Sequence, residues 1–151
     1  MPSAGKIRLL DPERAVDFAV ERRCRGVGWG YQEPAVWLEY VLDLAMLVRA
    51  NGMFTVMNTN GYVTGEALDL LGPYLDAYVV EIPSVSPGPY EALCGTPQSS
   101  AVLEGVMRMQ REWRCHVEVH TTLVPGVNDS PDNIQELAAW LQKSLGTDTP
   151  W

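Results

Sequence analysis

The sequence predicts an α/β fold, built as a partial parallel (β/α) barrel. Two observations carry this. Segments of strand character alternate with segments of helical periodicity, which implies parallel pairing and crossover connections. Each strand also runs out into a polar cluster: Tyr31-Gln32-Glu33-Pro34, Asn58-Thr59-Asn60-Gly61, Glu81-Ile82-Pro83-Ser84 and Pro125-Gly126-Val127-Asn128-Asp129. In a β/α barrel the carboxyl ends of all strands share one face, and that face carries the chemistry. The four clusters are therefore expected to ring one site.

The elements follow in order. Asp11 suits an N-cap, with Pro12 at N1, and Ala15, Val16, Phe18 and Ala19 give the first helix one apolar face. Val27 to Tyr31 reads as the first strand, loosened by its glycines. Pro34 opens the strongest helix, with Val36, Trp37, Tyr40, Val41, Leu44 and Leu47 or Val48 at helical spacing and Gly52 beyond its end. Its Trp37 and Tyr40 are expected to pack as core. Phe54 to Met57 is the second strand. Thr64 caps a short helix carrying Leu68 and Leu71, and Ala77 to Ile82 is the third strand. A Pro-rich loop leads to a helical turn at Tyr90 to Leu93. A helix then runs from about Ser100 to Trp113, with Val102, Val106, Met109 and Trp113 on one side. The fourth strand is Cys115 to Val124. Ser130 and Pro131 open the last helix, with Ile134, Leu137, Ala138 and Leu141 as its buried stripe.

The 151 residues suffice for one compact domain, read here as 1–151. Four strands do not close a barrel, for which about eight is usual. The sheet is either open at its edges or lacks strands at both ends. Open edges expose unpaired backbone groups and favour association, so a second polypeptide is an expected complement.

Net charge −8 disfavours nucleic acid and anionic membrane surfaces as partners. No apolar run approaches the ~20 residues of a membrane span, and the first residues lack a signal-peptide core. A cytoplasmic location is the expectation. Cys24, Cys94 and Cys115 share no short metal-binding spacing and are expected to be buried structural thiols.

His116, Glu118 and His120 alternate, so they project from one face of the fourth strand. That pattern fits a polar barrel interior, and His120, nearer the mouth, is the better ligand contact. A metal-dependent hydrolase or aldolase using Glu118 and His120 is the lesser alternative.

Taken together, Tyr31-Gln32-Glu33-Pro34, Thr59-Asn60-Gly61-Tyr62, Leu93-Cys94-Gly95 and the run from Thr121 to Ser130 resemble the radical SAM enzymes of the AmmeMemoRadiSam system, which are similar to the pyruvate formate-lyase activating enzyme. The resemblance implies a radical SAM type of partial barrel, here without its first and last strands. It implies S-adenosylmethionine (SAM) as cofactor. It also implies a 4Fe–4S cluster held by a CxxxCxxC loop, which this chain does not contain. Gln32, Glu33 and Pro34 would occupy the motif that holds the SAM amino group. Thr59, Asn60 and Gly61 would sit at the next strand end, Glu81 and His120 would face the ligand, and Pro125, Gly126 and Asn128 would line the adenine and ribose side. Glu81-Ile82-Pro83 stands where that family shows Asp-x-Lys, which replaces a cation with proline. The function implied is the SAM-binding part of an enzyme that cleaves SAM reductively to a 5′-deoxyadenosyl radical, with this chain inactive alone. Partners implied are the polypeptide carrying the cluster segment and Memo-like and AMMECR-like proteins. The alternative is a degenerate, non-enzymatic barrel that binds a partner or ligand.

Overall fold

The computed structural model describes residues 10–151. Six helices and four strands are present among them: α1 (Pro12–Glu21), β1 (Gly26–Trp29), α2 (Leu38–Ala50), β2 (Phe54–Thr59), α3 (Gly65–Leu71), β3 (Ala77–Glu81), α4 (Pro87–Cys94), α5 (Ser100–Arg111), β4 (His116–His120) and α6 (Pro131–Ser144). The strands form one parallel sheet in the order β1-β2-β3-β4.

Caps set the helix starts where the sequence places them. The side chain of Asp11 accepts from Arg14 N (3.0 Å), Thr64 from Ala67 N (3.3 Å) and Ser130 from Asn133 N (3.2 Å). Gly52 follows the α2 C-cap at φ 70°, as a C′ glycine does.

The alternation of the strands sorts the two faces. Trp29, Met57, Tyr78, Val80, Val117 and Val119 are buried. The helices cover them with Val41, Leu44 and Val48 of α2, Leu68 and Leu71 of α3, Val102, Val106 and Met109 of α5, and Leu137 and Leu141 of α6. Each such side chain contributes about 1.5–3 kcal/mol by leaving water. The other face carries Gly28, Asn58, Glu81, His116, Glu118 and His120.

Several boundaries differ from the sequence reading, each for a local reason. β1 stops at Trp29, and Gln32 turns the chain with φ 57°. Residues Pro34–Trp37 form a 3₁₀ turn before α2, because the Trp37 indole N–H takes the Glu33 carbonyl (3.2 Å) that an α-turn would use. Trp37 stays partly exposed and stacks on Tyr40, centroids 5.3 Å apart, instead of entering the core. α4 is a full helix over Pro87–Cys94, since prolines in its first turn forfeit no helical hydrogen bond. β4 ends at His120, not Val124. Beyond it the backbone is held by side chains from distant segments, described below.

At the amino ends of the strands, Asp76 accepts from Thr55 N (2.9 Å) and Thr55 Oγ1 (3.1 Å) and pairs with Arg49. Burial alone would raise this carboxyl's pKa. The Thr55 amide, the Arg49 guanidinium and the Thr55 hydroxyl outweigh burial and hold it below the ordinary value. A depressed carboxyl stabilises the fold above its unfolded pKa and loses that contribution as pH falls through its folded pKa. Asp76→Ala is therefore expected to cost about 1–2 kcal/mol at neutral pH. Urea unfolding across a pH series checks this: the gap to wild type should close at acid pH, and a constant gap would contradict it.

At the β4 edge, Val119 N donates to Pro150 O (3.0 Å) and Trp151 Nε1 to Thr121 Oγ1 (2.9 Å), so residues 150–151 lie alongside that strand. Among the described residues no helix is long and apolar enough to cross a membrane.

Candidate functional site

The carboxyl ends of the four strands carry two hydrogen-bonded crests with a cleft between them. The first crest centres on Glu33. Its Oε1 accepts from Thr59 Oγ1 (2.7 Å) and Ala35 N (3.0 Å), and its Oε2 accepts from Asn60 N (2.8 Å). One carboxylate thus ties the end of β1 to the end of β2 and caps the following turn. Thr59, 3% exposed, passes the chain on by accepting from Gly61 N (3.0 Å). Asn60 Oδ1 accepts from Tyr62 N (2.8 Å), an Asx turn that fixes the loop. Gly61 is required twice over: its φ is +74°, and a Cβ there would lie 2.7 Å from Val102 Cγ1 and 2.8 Å from Val80 Cγ2.

The second crest joins β3 to β4. Glu81 Oε1 accepts from Thr122 N (2.6 Å), and Thr121 Oγ1 donates to Ile82 O (2.9 Å). Asn128, fully buried, donates through Nδ2 to Pro83 O (2.9 Å) and Thr122 O (3.0 Å) and accepts from Val124 N (2.7 Å). Asn133 Nδ2 donates to Asn128 O (2.7 Å), and Asn133 also pairs with Ser84. These bonds take up the Thr122 amide and carbonyl and the Val124 amide without a strand partner, which is why β4 ends early.

Between the crests lies a cleft of about 620 Å³, walled by Tyr62, Tyr90, Leu93, Cys94 and Pro83, with Asn60, Glu81 and Thr122 at its polar side. Its size suits a drug-sized ligand, and its mix of apolar wall and few polar groups is that of a small-molecule site. Burial raises the Tyr90 pKa to about 12 and pushes the Cys94 thiol up, so both are uncharged at neutral pH. A second cleft of about 460 Å³ adjoins it, lined by Glu81, His120, Thr122, Ile134 and Trp151 among others.

The sequence-predicted residues all lie at this end of the sheet, in unequal positions. Asn60 and Glu81 line the larger cleft, and Glu81 and His120 the smaller. Glu33, Pro34, Thr59 and Gly61 build the first crest, Pro34 buried beneath it; Gln32 is exposed beside it. Pro125 and Gly126 are exposed on the turn after β4, outside the lining of either cleft, and the Asn128 side chain is spent on backbone. Tyr90 and Thr96 line the cleft without having been singled out as site residues. Tyr90 reads in the sequence only as the start of a helical turn, with no motif around it; Cys94 lies in the Leu93-Cys94-Gly95 segment already noted.

Two of the cysteines are exposed, Cys24 and Cys94, and only Cys115 is buried, which corrects the expectation of three buried thiols. Cys24 and Cys115 precede β1 and β4 at the amino ends, whereas Cys94 sits at the carboxyl ends. On β4, His116 Nε2 lies 3.0 Å from Glu118 Oε1 and His120 Nε2 4.0 Å from Glu118 Oε2. No group of three or more His, Cys, Asp or Glu among the described residues is placed to hold a metal ion. The described residues therefore do not fit an iron–sulfur cluster.

The family model of the Radical SAM superfamily matches residues 2–141. An uncharacterized protein of Methanocaldococcus jannaschii is 33% identical over 152 residues, covering 99% of this chain and 43% of that protein. The (2S)-3-sulfopropanediol dehydratase activating enzyme of Klebsiella oxytoca is 25% identical over 126 residues, covering 83% of this chain and 39% of the enzyme. The chain thus spans about two fifths of the length of these curated relatives. A crystal structure of a domain of pyruvate-formate lyase-activating enzyme from Bacteroides vulgatus superposes with a TM-score of 0.69 at 19% identity, covering 83% of this chain and 75% of that one.

Proposed function

The chain belongs to the Radical SAM superfamily, and on that premise we propose that it is the SAM-side part of a radical SAM enzyme of the AmmeMemoRadiSam type. In the family, SAM together with a 4Fe–4S cluster supplies a 5′-deoxyadenosyl radical by reductive cleavage. The observation that carries the reading is the cleft between the Glu33 and Glu81 crests, at the strand ends where a β/α fold places its ligands. Glu33 holds the Asn60 backbone in position, Asn60 and Glu81 present polar atoms, and Tyr62, Tyr90 and Leu93 exclude water from an adenosyl group.

The cysteines of this chain do not hold the cluster, so its ligands come from a polypeptide segment outside these residues. This chain alone is catalytically silent, acts as one domain in the cytoplasm, and completes its sheet with that segment. Memo-like and AMMECR-like proteins are its functional partners. The likeness to activating enzymes favours a macromolecular substrate.

Cys94 provides a located test, because it lines the cleft while Cys24 is exposed elsewhere. SAM is expected to slow alkylation of Cys94 by iodoacetamide and leave Cys24 unaffected, as read by peptide mass mapping. Equal rates at Cys94 with and without saturating SAM would contradict the proposal.

A further inference from the structure

α1 packs along α2, and two hollows of about 490 Å³ each run along their seam. Glu13 and Leu47 line both, so the hollows form one groove. It shares no lining residue with the clefts at the strand ends. Its apolar floor is open to water: Leu47 is half-buried, and Val20 and Met46 are 52% and 44% exposed. Its rim is acidic, with Glu13, Asp17 and Glu21 from α1 and Asp43 from α2, all exposed, and no lysine or arginine lines it.

The rim acids stand against the local electrostatics of their own helix. Glu13, Asp17 and Glu21 follow one another at four-residue spacing, which makes like charges neighbours and destabilises a helix. Glu21 also stands in the last turn, at the negative end of the helix dipole, where no basic residue offsets it. The nearby arginines are engaged elsewhere. Arg14 and Arg22 lie over the Phe18 ring, 4.5 and 5.1 Å from its centroid, and Arg14 approaches one rim acid, Asp17, at 3.8 Å.

We infer that this groove docks an amphipathic helix of a partner protein that carries lysine or arginine beside an apolar stripe. The stripe covers Val20, Met46 and Leu47, and the cations meet the rim and relieve its like-charge row. α1 is ten residues long, about 15 Å, so the groove seats about three turns of such a helix. An acidic rim repels nucleic acid and anionic membrane surfaces. A second copy of this chain does not supply the helix. α5 has more cations than any other described helix, and they are taken: Arg108 by Asp69 and Glu112, Arg111 by the Ser144 carbonyl.

Fluorescence anisotropy of the full chain with a labelled synthetic peptide tests the assignment. The peptide is a helix former of about 18 residues with a leucine stripe flanked by lysines, and its twin has glutamate at every lysine. The lysine peptide is expected to bind saturably, one per chain, and the glutamate twin about tenfold more weakly or not at all. Glu13→Lys with Glu21→Lys is expected to weaken the lysine peptide about tenfold. Val20→Ser with Met46→Ser is expected to weaken it about fivefold. Glu104→Lys with Asp148→Lys changes the net charge by the same amount as the rim pair, at exposed positions outside the groove, and is expected to stay within about twofold. A control that weakens binding as much as the rim pair would mean attraction to the net charge of −8 at large and overturn the assignment. Absence of binding, or binding unchanged by Val20→Ser with Met46→Ser, would overturn it as well. Should the rim pair not fold, the apolar pair measured against the control decides. Self-association of the chain that Met46→Ser abolishes would make the occupant a second copy and contradict the partner named here.

Discussion

Replacing Asn128 with alanine is expected to lower the unfolding free energy by about 3–5 kcal/mol. Its side chain makes three hydrogen bonds with no exposure to water: two donated, to Pro83 O and Thr122 O, and one accepted from Val124 N. The two part-buried bonds, to Thr122 O and from Val124 N, contribute about 1 kcal/mol each, and leaving the buried Pro83 carbonyl unpaired costs about 1–3 kcal/mol. Alanine leaves two carbonyls and one amide without their partner, and the Pro83 carbonyl lies in the buried contact. Urea unfolding measures the loss as a lower midpoint at unchanged slope. Asn128→Asp should be worse than a loss of one bond. It keeps the acceptor for Val124 N but turns a second acceptor toward two carbonyl oxygens. An effect below about 1 kcal/mol for Asn128→Ala, the size of one ordinary bond, would show that the clasp is not what holds the β4 exit.

Glu33→Ala is expected to weaken both fold and ligand binding. The carboxylate joins Ala35 N, Thr59 Oγ1 and Asn60 N, and thereby β1 to β2. Glu33 is half-buried, so water partly replaces it, and the expected loss of stability is about 2 kcal/mol. Ligand affinity is expected to fall about tenfold, because Asn60 and the turn at Gly61 lose the contact that positions them at the cleft. The two effects are separable. Binding measured well below the unfolding midpoint reports positioning alone. Unchanged SAM affinity in a folded Glu33→Ala protein would mean that the first crest is scaffold only.

Much of the architecture was legible because it rests on local chemistry. Asp11, Thr64 and Ser130 start helices through bonds within three residues of themselves. The alternation of His116 to His120 sorts the faces of β4 with no further information. What misled was decided over longer range. The run from Thr121 to Val124 has strand character, yet Glu81 and Asn128 take its backbone groups and end the ladder. Trp37 has the spacing of a core residue, yet its indole N–H is drawn to the Glu33 carbonyl at the surface. For the site, topology pointed to the end of the sheet where the larger cleft lies, because strand ends converge whatever their side chains do. It did not reveal orientation. Asn128 has the residue type of a ligand contact and turns its amide into the protein; Tyr90, which reads only as the start of a helical turn, forms part of the cleft wall.

The most direct test of the account is a calorimetric titration of SAM into the 151-residue chain, with circular dichroism confirming that the chain is folded. The account predicts saturable binding of one SAM per chain, weakened about tenfold by Glu33→Ala. A folded chain that shows no saturable binding would contradict it and leave a partial barrel that binds something other than SAM.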